Sequence, residues 1–140
     1  MTADEIIALL DLSPHPEGGH FRQTWIAPAE GAARPAGTCI HFLLKAAERS
    51  HWHRVDATEI WHFYAGAPLE LSLSATDAGP ATRHVLGPDL ASGARPQIIV
   101  PEMHWQAART LGDWTLVGCT VSPAFRFEGF TLAPPGFDIP

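Results

Sequence analysis

The chain has 140 residues, 46% of them hydrophobic, with 13 Pro, 12 Gly and a formal net charge of -6. That length suits one domain, residues 1–140, with a real core, and the Pro and Gly content predicts many short elements joined by turns rather than long helices. Nine Lys and Arg against 15 Asp and Glu argue against a nucleic-acid backbone or an anionic membrane as partner, since both need a concentrated basic face.

MTADEIIALL lacks the basic lead and small-residue cleavage site of a signal peptide. No apolar run approaches the roughly 20 residues of a membrane span, so a cytoplasmic protein is the expectation. Thr2 with Glu5 makes a capping box ahead of Ile6, Ile7, Leu9 and Leu10, which predicts a helix over about 3–11 that Pro14 stops. HPEGGHFRQTWIA (15–27) opens with turn chemistry and becomes strand-like. Glu17 before two glycines reads as a tight bend where backbone passes close to a neighbour, and His15 and His20 are not expected to be ligands. Strand patterns recur at 37–44, 59–65, 69–74, 82–86, 97–100, 104–108, 114–121 and 127–133, separated by turn formers such as GAP, DAGP and LGD. Short strands at this spacing predict an all-β sandwich or barrel over about 19–133. Cys39 and Cys119 sit in strand-like surroundings and read as buried thiols.

Chemistry concentrates in SHWHRVDATEIWHFYAG (50–66). Successive side chains of a strand face opposite ways, so His51 and His53 are expected on one face with Trp52 on the other. The same rule groups Glu59, Trp61 and Phe63, and sets His62 and Tyr64 opposite them. The Glu-x-x-His spacing of Glu59 and His62 also fits a di-iron helix, but that motif needs a second copy within four long helices, and the β-branched and aromatic surroundings favour a strand. If RVDAT turns the chain back, His51, His53 and Glu59 converge, two imidazoles and a carboxylate in an arrangement that suits a transition metal.

His51-x-His53, Glu59 and, after six residues, Gly66 resemble the first motif of the cupin superfamily. Here five residues rather than three or four separate His53 from Glu59, and Lys45 replaces the leading Gly. The second motif aligns at Pro101 alone, with Gln106 where the last metal-binding histidine belongs. More specifically, HPEGGHFR (15–22), SHWHR (50–54), EIWHFYAGAPLEL (59–71), VPEMHWQAA (100–108) and LVGCTVSPAFRFEGF (116–130) resemble a branch of small cupins, from about Ser13 to Leu132. The resemblance implies a single-domain cupin, a double-stranded β-helix or jelly-roll barrel with a ligand cavity, and a homodimer.

Three functions follow from that resemblance. In the first, His51, His53 and Glu59 hold Fe, Mn, Ni or Zn in an oxygenase, lyase or isomerase, with His104 or Gln106, set on one face of HWQAA by strand parity, as fourth ligand. Trp61, Phe63 and Gln106 would then contact a small-molecule substrate, and Arg22 would hold its carboxylate. In the second, His53 and Glu59 act without metal as base and orienter, as in the sugar-nucleotide epimerases that share the barrel. Those enzymes also use a tyrosine acid, whereas the one tyrosine here, Tyr64, has the wrong parity. In the third, the barrel is a non-catalytic small-molecule or carbohydrate-binding module.

Overall fold

The alternating apolar residues set two antiparallel sheets face to face in the computed structural model, which describes residues 1–140. After a helix α1 (Ala3–Leu9) come β1 (Ser13–Pro14), β2 (His20–Ile26), β3 (Thr38–Lys45), β4 (Ser50–Val55), β5 (Thr58–Gly66), β6 (Leu69–Ser74), β7 (Thr82–Leu86), β8 (Gln97–Val100), β9 (Trp105–Thr110), β10 (Trp114–Ser122) and β11 (Phe130–Leu132). The larger sheet runs β1-β2-β3-β10-β5-β8 and the smaller one β11-β4-β9-β6-β7. This is the all-β arrangement that the short strands and turn formers predict, in the jelly-roll form that the resemblance implies.

The Thr2–Glu5 capping box forms as the sequence predicts. The helix stops at Leu9, earlier than expected, because Asp11 turns the backbone to φ 55°. Ala3, Ile6 and Leu12 pack on Leu43 from outside the larger sheet, while Leu9 stays exposed. Residues 127–129 form a 3-10 turn, so the last strand begins at Phe130 rather than 127.

Phe42, Leu44, Trp61 and Val117 of the larger sheet meet Leu69, Leu71 and Leu86 of the smaller one in the main core. Each such side chain, fully buried, contributes about 1.5–3 kcal/mol. A second cluster covers the outer face of the smaller sheet, where Trp52, Trp105 and Ala107 lie under Ala133 and Ile139 of the C-terminal tail. The tail is tied there by Trp52 Nε1–H donating to Asp138 and by the Ala133 amide donating to the Trp52 carbonyl. These contacts hold β4 from behind. No helix is long and apolar enough to cross a membrane.

Two departures from simple alternation position the site. Opposite β9, Ser50 pairs with Ala108 and His53 with Gln106, three steps on one strand against two on the other. That is a β-bulge at His51 and Trp52. The chain also changes sheets between β4 and β5, crossing at Asp56 and the buried Ala57. Asp56 is clamped there by Arg34 and Arg126, whose guanidinium hydrogen bonds hold its carboxyl below the usual carboxylate range.

Candidate active site

His53 projects from the smaller sheet and Glu59 from the larger, so the Asp56–Ala57 crossing sets them against each other across a cavity of about 70 Å³. His15, Glu17, Phe21, Thr38, Ile40, Val55, Val121, Phe125 and Phe130 complete its wall, and exposed Gln23 and Phe127 stand at its rim. The pairing of His53 with Glu59 is the part of the expected site that assembles.

The rest of the expected metal set does not. The bulge breaks parity after Ser50, so His51 turns away from the cavity, its Nε2 lying 3.0 Å from the Pro134 carbonyl of the C-terminal tail. His104 precedes β9 in a turn where Met103 takes φ 64° and the His104 amide donates to Pro101. Strand parity with Gln106 therefore does not extend to it, and it lines an outer groove with Ile99 and Thr82. No three His, Cys, Asp or Glu side chains are placed to share an ion. The residues present do not fit the metal centre that the resemblance implies.

Three expected substrate contacts also have other roles. Arg22 lies on the exposed strand β2 and its Nε–H donates to Leu10 O at 2.9 Å, capping the helix end. Phe63 packs against the main core, and Trp61 is buried within it. Trp61 still acts on the site, because its indole N–H can only donate and does so to Gln106 Oε1 at 2.8 Å. The Gln106 amide must then present its NH₂ to Glu59 Oε1, also at 2.8 Å. Gln106 thus orients the carboxylate. His62 lies on the outer face, near Thr120 and Gln97, as parity predicts, and Tyr64 is exposed.

Sequence reasoning missed Glu17 and His15. The bend read at HPEGG exists: Gly18 and Gly19 take φ 112° and 75°, and a Cβ on Gly18 would strike the Arg49 carbonyl. Glu17 O accepts the His51 amide at 2.8 Å, which joins this turn of the larger sheet to β4 of the smaller. The same bend delivers the Glu17 side chain into the cavity. Ser50 Oγ–H donates to Glu17 Oε2, and His53 Nε2 lies 3.4 Å from that oxygen. The two glycines, which permit so close an approach, were the available signal.

Proton positions follow from these partners. His53 Nδ1–H donates to the His51 carbonyl at 2.7 Å, which leaves Nε2 bare. His15 Nδ1 accepts the Glu17 amide at 3.1 Å, and so also meets Glu17 Oε1, 3.3 Å away, with a lone pair. A proton on one Glu17 oxygen supplies the hydrogen for one of these two contacts, to His15 Nδ1 through Oε1 or to His53 Nε2 through Oε2. Burial pushes Glu17 up to about 8, against the opposing Ser50 hydrogen bond. Burial also raises Glu59 to about 7, although His53, Gln106 and Cys119 oppose the rise. The imidazoles move the other way: burial lowers His53, and it lowers His15 to about 4. Near neutrality the cavity therefore holds neutral imidazoles, a protonated Glu17 and a Glu59 poised between its two forms. Two carboxyl groups with separated affinities can take acid and base roles.

Two antiparallel sheets enclosing a polar-centred cavity define a jelly roll of cupin type. The chain belongs to the cupin superfamily, in the family described as "Cupin superfamily (DUF985)", whose model matches residues 4–133. A crystal structure of a protein from Shewanella oneidensis is similar at 39% identity and TM-score 0.89, over 95% of this chain and 85% of that one. A hypothetical protein from Leishmania major follows at 28% identity and TM-score 0.87, over 98% and 90%. The fold is also shared by a dTDP sugar isomerase from Desulfovibrio desulfuricans, at 18% identity and TM-score 0.62, over 89% of this chain and 88% of that one. Oxalate decarboxylase from Bacillus subtilis shares it at 10% identity and TM-score 0.66, over 89% and 31%. No curated protein matches the sequence.

Proposed function

We propose that this cupin is a metal-independent enzyme of isomerase or lyase type that moves a proton on a small molecule held in the cavity. The observation that carries the reading is the meeting of Glu17, His53 and Glu59 in one buried cavity, with a donor chain behind Glu59 and no three of these side chains placed to share an ion. Glu59, as carboxylate, takes a proton from the substrate, and Gln106 holds it in place. Glu17, as carboxylic acid, returns a proton to the product side, and the proton held by Glu59 passes to the bare His53 Nε2 and on to Glu17, which restores both groups. One proton leaves and one arrives, so the step needs no oxidant or reductant. The Phe-lined wall lowers the local dielectric, which strengthens each of these interactions.

The cavity is small beside the roughly 300–1,000 Å³ of sites that enclose drug-sized ligands. It suits a compact molecule or the reacting end of a larger one. Tyr64, exposed on the opposite face, argues against a close copy of the sugar-nucleotide epimerase mechanism.

The test is proton exchange. Protein purified without added metal is incubated in D₂O with a panel of small metabolites, and C–H exchange or product is followed by NMR. Turnover that survives chelation and is lost in Glu59→Gln and His53→Ala supports the proposal. Near-stoichiometric metal that leaves with His53→Ala, or absence of turnover across the panel, overturns it.

A further inference from the structure

The cavity wall contains two carboxyl groups and four phenylalanines, Phe21, Phe125, Phe127 and Phe130, and not one of the chain's nine Lys and Arg. The arginines lie elsewhere. Arg49, Arg83 and Arg109 line a groove on the outer face of the smaller sheet, while Arg34 and Arg126 are engaged with Asp56. An anionic substrate entering this cavity would meet acidic oxygens and imidazole lone pairs, with no cation to receive it. A carboxylate or phosphate is therefore the wrong charge.

The opposite charge finds partners. Glu17 and Glu59 flank His53, and each interacts electrostatically with it or with the other across the cavity. Phe125, Phe127 and Phe130 stand at interplanar angles of 65–85° with ring centroids 5.0–6.1 Å apart, forming an aromatic corner. Phe127 is 57% exposed at the rim, where core packing does not account for it. Carboxylates beside aromatic rings are the groups that recognise an ammonium ion, the former by charge and the latter by the ring quadrupole.

Resting on the proton-transfer reading, we infer that the substrate is a small amine, bound as its ammonium ion between Glu17 and Glu59 with its carbon atoms against the Phe125, Phe127 and Phe130 rings. The ammonium supplies the counter-charge that burial withholds from Glu59, while Glu17, as carboxylic acid, accepts one of its hydrogens through a carboxyl oxygen.

The inference is tested by ligand-detected NMR and calorimetry on the full chain with methylammonium and ethylammonium, against ethanol and acetate as probes of similar size. The expected result is binding of the ammonium ions at least tenfold tighter than of ethanol or acetate, a tenfold or greater loss in Glu59→Gln, and smaller losses in Glu17→Gln and Phe127→Ala. Thermal melting checks that each variant is folded, and Phe127→Ala, at the exposed rim, provides a readout should a buried variant fail. Acetate or ethanol binding as tightly as ethylammonium, or no ammonium binding at all, overturns it. Glu59-dependent exchange into a neutral or anionic molecule would remove the amine and keep the proton-transfer reading. Ammonium binding without turnover on any amine would keep the ligand class and remove the enzyme.

Discussion

The HPEGG turn and the His-rich stretch at 50–66 exchange the roles that their compositions suggest. The stretch carries three histidines and a glutamate, yet only His53 and Glu59 face the cavity, while His51 and His62 face outward. The turn looks like a device for bending the chain, and it contributes two cavity residues, His15 and Glu17. A strand distributes its side chains between two faces, so half of a polar cluster on it is lost to the outside. A turn held against a second sheet aims one side chain without that division.

The widest separation between the two regions is expected in catalysis. His53→Ala and Glu59→Gln should each lower kcat/KM about 10²–10⁴-fold, whereas His51→Ala and His104→Ala should change it less than about twofold, in a steady-state assay on the exchanging substrate. Equal losses in His51→Ala would restore the metal site and break the comparison.

Next in size is the bend itself. Gly18→Ala combines a left-handed backbone with a collision against Arg49 O, and should destabilise the fold by about 2–4 kcal/mol. Denaturant unfolding measures this, and an unchanged midpoint would show that the turn is free to move.

The pH dependence sharpens the assignment of Glu17. With Glu59 near 7 and Glu17 near 8, kcat/KM should fall below about pH 7, as the base is protonated, and above about pH 8, as the acid is lost. Stability follows with a definite sign. Glu17 holds its proton more tightly folded than unfolded, so its contribution is full below about 4.5 and declines as pH rises toward about 8. Glu17→Gln has no proton to lose, and its melting temperature should gain on the parent between pH 5 and pH 9, by about 3–4 °C for each 1 kcal/mol recovered. A constant difference would mean that Glu17 is ionised throughout.

A smaller effect is expected from Trp61→Phe. It removes the donor that fixes Gln106, costs about 1–2 kcal/mol of stability, and should move the acidic limb of the profile upward as Glu59 loses a steady partner. The smallest belongs to Arg22→Ala. It releases one exposed helix-end carbonyl, worth about 0.5–1 kcal/mol, and leaves activity unchanged.

The strands were legible in the sequence because their alternation and turn formers are local. Parity correctly placed Glu59, Trp61 and Phe63 inward and His62 and Tyr64 outward. It failed at His51 because a bulge depends on the partner strand, and at His104 because that residue lies in a turn rather than on β9. Glu17 stayed hidden for a related reason. Its pairing with Ser50 spans 33 residues and two sheets, and nothing local marks which way a turn residue faces. Gln106 was placed inward by the resemblance, but its role as the link between Trp61 and Glu59 needed three dimensions.

The extra residue at His51 and Trp52 amounts to a change of reading frame along one strand. Remove one residue there and two steps face two again, with Ser50 still opposite Ala108 and His53 still opposite Gln106. The insertion is thus absorbed within two residues, and the added side chain is accommodated on the outer face alone, where His51 and Trp52 find the C-terminal tail.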